Sequence, residues 1–122
     1  MTHLGHRHER VAEEIRHEVA AMLAGELKDP RIAGLVTVTE VRLTPDLKHA
    51  CIFVSVMGSE AEQASTLAGL AAACGYVRRE VGRRLQLRRS PEIHFVLDRS
   101  EEYGRHIEDL LRQAKRMADS DS

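Results

Sequence analysis

Between Tyr76 and Ser90 the chain carries Arg78, Arg79, Arg83, Arg84, Arg88 and Arg89 against a single acid, Glu80. Guanidinium groups are always charged and present forked donors, so a cluster of them suits phosphate oxygens. At roughly 100° per residue, a helix here puts Arg79 and Arg83 opposite a Val77, Val81, Leu85 stripe, with Arg78 and Arg84 at its flanks. Like charges four apart on a helix repel by a few tenths of a kcal/mol, so the cluster weakens the isolated fold and calls for an anionic partner. A solvated face neutralised by glutamates is the plainer reading; so many arginines beside one acid favour RNA or DNA over it.

Other chemistry is sparse. His3, His6 and His8 could bind a metal, but they sit at a terminus without a cysteine or carboxylate set on rigid structure, so no metal site is expected. His17, His49, His94 and His106 look scattered. Cys51 and Cys74 belong to no Cys-x-x-Cys pair and read as buried, reduced packing residues. The chain has no Walker loop, dinucleotide fingerprint or nucleophile elbow. We therefore expect no catalysis and no cofactor.

Composition narrows the classes further. The 122 residues suit one domain, and 43% hydrophobic with 30% charged residues is the balance of a folded chain. The N-terminus is polar from its start, and no segment approaches the roughly 20 apolar residues that cross a bilayer, so a cytoplasmic protein is expected. Trp is absent and only Phe53, Phe95, Tyr76 and Tyr103 are aromatic, which disfavours a base-stacking platform. The formal charge of -1 hides a segregation, with Glu9, Glu13, Glu14 and Glu18 crowding the first helix. That acidic helix supports an alternative, a protein-interaction module.

The elements that must position the arginines follow from periodicity. Val11, Ile15, Val19, Met22, Leu23 and Leu27 recur at helical spacing over about His8 to Leu27, and Asp29-Pro30-Arg31 stops that helix. Leu35 to Leu43 and His49 to Met57 read as strands of an antiparallel hairpin turned by Thr44-Pro45-Asp46. Ser59 with Glu62 forms a capping box that opens a helix to about Ala72. The small residues Ala73 and Cys74 followed by Gly75 predict a kink, because glycine costs about 1 kcal/mol relative to alanine in a helix. A further helix then runs to about Gln86, Glu92 to Leu97 is a third strand, and a capping box from Asp98 to Glu101 opens a last helix through Ile107, Leu110 and Leu111. The long crossover permits parallel pairing of the last strand, giving an α+β domain with a three-stranded mixed sheet. The whole chain, 1–122, is one domain with flexible ends at about 1–7 and 117–122.

The first helix, Lys28-Asp29-Pro30-Arg31, Val36-Thr37-Val38-Thr39, Asp46-Leu47-Lys48-His49-Ala50, and the block from Gly75-Tyr76-Val77-Arg78 through Arg88-Arg89-Ser90-Pro91-Glu92-Ile93-His94-Phe95 to Asp98 carry a resemblance. In that order and spacing the chain resembles the bacterial ribosome-binding factor A family from Arg10 to about Leu111. The resemblance implies a type II KH-like fold, α-β-β-α-kink-α-β-α, in which an Ala-x-Gly kink, matched by Ala73, Cys74 and Gly75, replaces the Gly-x-x-Gly loop of ordinary KH domains. It also implies binding to the immature 30S subunit and its 16S rRNA, help with 5′-end processing, importance in the cold, and a monomer that works beside other assembly factors. A basic surface follows, with Arg78, Arg79, Arg83, Arg84, Arg88 and Arg89 as first choices and Arg7, Arg10, Lys28 and Arg31 as second.

Overall fold

The computed structural model describes residues 3–32, 35–99 and 109–117, with side chains from Arg7 onward. Its elements are α1 (His3–Gly25), a 3-10 turn (Pro30–Ile32), β1 (Val36–Leu43), β2 (His49–Val56), α2 (Glu60–Arg84) and β3 (Glu92–Leu97). Residues 109–117 are helical. The expected start of that last helix falls in 100–108, outside the described residues.

The sheet order is β1-β2-β3, with β1 antiparallel to β2 and β3 parallel to β2. The mixed sheet is therefore as the crossover length predicted. Alternation along β2 sends Ala50, Ile52, Val54 and Val56 to one face, where they are buried. Ile15, Val19 and Met22 of α1 and Leu70, Val77 and Val81 of α2 join them in one aliphatic core, all fully buried. His49, Cys51 and Phe53 point to the opposite, more open face. A bulge between Val38 and Glu40 in β1 lets the Thr39 hydroxyl donate to Asp98 Oδ2 at 2.6 Å, reaching over β2 to the end of β3.

Two expectations need correction. The helices anticipated on either side of Ala73-Cys74-Gly75 are one uninterrupted helix, α2. Leu70 on one side and Val77 and Val81 on the other are pinned in the same core, and that burial outweighs the roughly 1 kcal/mol cost of a single glycine. A Cβ on Gly75 would meet nothing within 4 Å. The cysteines are free, as expected, but half-buried rather than buried. The capping box stands as read: the Ser59 side chain accepts the Glu62 amide, and the Ser59 amide donates to Glu62 Oε1, each at 3.2 Å.

Packing does require a glycine at Gly69, where α2 crosses the 3-10 turn. A Cβ there would lie 2.9 Å from Ile32 Cγ1 and 3.0 Å from Arg31 Cβ.

Candidate nucleic-acid interface

Four separate segments converge on an open cleft of about 820 Å³. The start of α1 supplies Arg7, the β1-β2 turn Lys48, the C-terminal half of α2 Arg78, and the turn after α2 Arg88 and Arg89. Against these five cations stand two acids, Asp46 and Glu92. Among the described residues no carboxylate is paired with Arg78, Arg88 or Arg89. Arg78 Nε donates to the Ser90 carbonyl at 3.4 Å, a bond that leaves its charge unneutralised.

Local chemistry explains how Lys48, Arg88 and Arg89 are aimed. Asp46 Oδ1 accepts from the Thr44 hydroxyl at 2.6 Å and from the Lys48 amide at 3.1 Å, which fixes the hairpin turn and holds the Asp46 carboxyl below its usual range. Leu47 in that turn has φ 63°, and its side chain packs against the core while also lining the cleft. At the end of α2, Leu87 N–H donates to the Gly82 carbonyl at 2.9 Å and Gln86 N–H to the Arg83 carbonyl at 3.3 Å, the two bonds of a Schellman cap. Gln86 occupies its left-handed position at φ 54°. The chain is thereby reversed, and Arg88 and Arg89 are thrown to the cleft. Ser90 Oγ then donates to the Arg78 carbonyl at 2.5 Å, tying this turn back to the helix. The described non-glycine residues with positive φ are these two, and both adjoin the cleft.

The other expected residues lie elsewhere. Arg79 and Arg83 are exposed on the outward face of α2, as the helical stripe required, and Arg83 pairs with Glu80 at 2.7 Å. Arg84 turns inward with 20% of its side chain exposed, contacting Glu26 at 2.5 Å, Glu80 at 3.2 Å and Glu18 at 3.3 Å. Those hydrogen bonds, Glu26 first, hold its guanidinium pKa well above the usual value. Arg10 is exposed on α1. Lys28 borders a separate hollow of about 280 Å³ with Ala72, Ala73 and Tyr76. Arg31 is bound to Asp29 at 2.6 Å, and that contact lowers the Asp29 carboxyl to about 2. Glu13 and Glu18 of the acidic helix are likewise paired within the chain, with Arg16 and Arg84.

Lys48 and His49 were missed from sequence, although both stand in the segment that carries the resemblance. Their signal was a basic residue directly after a hairpin turn. The histidines are not all scattered: His49 and His94 stack with ring centroids 5.6 Å apart and planes at 28°. Glu92 completes a group whose ligand atoms lie within 4.8 Å of one another.

A sequence profile of ribosome-binding factor A matches residues 7–111. Ribosome-binding factor A of Acetivibrio thermocellus is 52% identical over 107 residues, covering 88% of this chain and 87% of that one. The crystal structure of ribosome-binding factor A from Thermus thermophilus superposes with a TM-score of 0.67 at 26% identity, covering 76% of this chain and 97% of that one. A homology model of the Thermus thermophilus protein fitted into the cryo-EM map of a 30S–RbfA complex gives 0.59 at 27% identity, covering 72% and 91%. No described helix is long and apolar enough to cross a membrane. The match along residues 7–111, the identity to these relatives and the shared α+β fold establish that this chain belongs to the ribosome-binding factor A family.

Proposed function

We propose that the protein is a non-enzymatic, monomeric, cytoplasmic assembly factor that binds the immature 30S subunit through its 16S rRNA and assists maturation of the rRNA 5′ end, including in the cold. The observation that carries this reading is the cleft, where Arg7, Lys48, Arg78, Arg88 and Arg89 meet from four segments with few acids to neutralise them. Phosphate contacts of this kind supply affinity and position the protein without reading base sequence. The fitted Thermus thermophilus relative in a 30S complex supports the choice of partner.

Arg79, Arg83 and Arg10 extend the basic surface beyond the cleft, Lys28 and Arg31 lie past the far end of α1, and Arg84 acts indirectly by fastening α2 to α1. The order of elements supports a type II KH-like domain in which Ala73, Cys74 and Gly75 replace the Gly-x-x-Gly loop, here within a continuous helix. Other assembly factors complete the set of partners. Cosedimentation with purified immature and mature small subunits tests the reading: retention on immature particles and release as salt is raised are expected. Equal, salt-insensitive association with both would contradict it.

A further inference from the structure

The geometry points to a divalent transition-metal site, for zinc or a cation of similar preference, formed by His49, Glu92 and His94 on the open face of the sheet. Its ligands come from strands rather than from a loop. In the parallel register His49 pairs with Glu92 and Cys51 with His94, so the three residues stand side by side on adjacent strands.

His49 Nδ1 lies 3.4 Å from His94 Nε2 and 3.4 Å from Glu92 Oε2. These separations exceed the usual hydrogen-bond range of about 2.7–3.2 Å. Both fall in the spacing a metal would impose, since ligands at about 2.0–2.2 Å in a tetrahedron are about 3.3–3.6 Å apart, and all three ligand atoms lie within 4.8 Å of one another. Two imidazoles and one carboxylate are a donor set that zinc accepts, leaving a fourth position for water. All three side chains are exposed, so the cation can enter from solvent. His49 and Glu92 also line the basic cleft, so a bound cation would add positive charge to its wall.

The test uses the full chain without RNA, which keeps it separate from the subunit-binding reading. Calorimetric titration with Zn²⁺ is compared for the native protein, His94→Asn, Glu92→Gln and a His3→Asn/His6→Asn/His8→Asn control. Co²⁺ absorption serves as an independent probe of coordination. We expect a 1:1 binding event with low-coordinate Co²⁺ bands in the native protein, lost in His94→Asn, weakened in Glu92→Gln and kept in the N-terminal control. Circular dichroism of each variant without metal should match the native spectrum. Absence of the event in the native protein, its survival in His94→Asn, or its loss only in the N-terminal control would overturn the assignment.

Discussion

Arg84 Nη2 and Glu26 Oε2 lie 2.5 Å apart although 58 residues separate them in sequence. Tyr76 Oη donates to the same carboxylate oxygen at 3.1 Å, and Glu18 and Glu80 close around the guanidinium. The contact fastens the end of α2 to the end of α1, so it steadies the helix that leads into the Arg88-Arg89 turn.

Replacing Arg84 with Met should lower the melting temperature by a few degrees at neutral pH, leaving Glu18 and Glu26 without their guanidinium partner and Glu80 with Arg83 alone. Arg84 holds the Glu26 carboxyl below its usual range. A depressed carboxylate pKa contributes stability above the unfolded value of about 4.3 and loses it as pH falls through the folded value. In Arg84→Met the mutual repulsion is instead relieved by acid. The melting-temperature gap between the two proteins should therefore narrow from pH 7 to pH 4, as followed by circular dichroism. A constant gap would deny the electrostatic role.

Two glycines of α2 should respond oppositely to alanine. Gly75→Ala meets open space and should stabilise the protein by up to about 1 kcal/mol. Gly69→Ala drives a methyl group into Ile32 and the Arg31 stem and should cost about 1–3 kcal/mol. Urea titrations of the two variants check both signs. Destabilisation by Gly75→Ala would show that a bend at this glycine matters.

Gln86 holds the left-handed position of the α2 cap, which an L side chain adopts at a cost of about 1–2 kcal/mol. Gln86→Gly should raise stability by up to about 1 kcal/mol, part of the gain being offset by glycine's freedom in the unfolded chain. Gln86→Val should lower it and weaken subunit binding by displacing Arg88 and Arg89. Denaturant midpoints and cosedimentation separate these outcomes; equal stability of the two variants would contradict the cap.

Much of the architecture was legible because it is periodic. The Val77, Val81 stripe placed Arg79 and Arg83 outward correctly, and Glu92 to Leu97 is a strand with the predicted bounds. The continuity of α2 was not legible, because local composition at Ala73-Cys74-Gly75 argued for a break while the core contacts on both sides argued against one. Arg84 read as one basic residue among several, since its partners Glu18 and Glu26 lie on another helix. The His49 and His94 pair depends on strand register, which a count along the chain does not supply. Sequence ranked Arg7 below Arg79 because distance along the chain does not show that the fold brings Arg7 to Arg78, Arg88 and Arg89.

The most direct test of the central claim is the salt dependence of small-subunit binding by the native protein and by Arg88→Ala/Arg89→Ala. Both side chains are exposed, so folding should be unaffected. Each neutralised phosphate contributes about 0.7 to 0.9 to the slope of log K against log salt. Loss of two arginines should weaken binding and flatten the slope by roughly one to two units. Identical affinity and identical slope for the two proteins would remove the cleft from the binding surface.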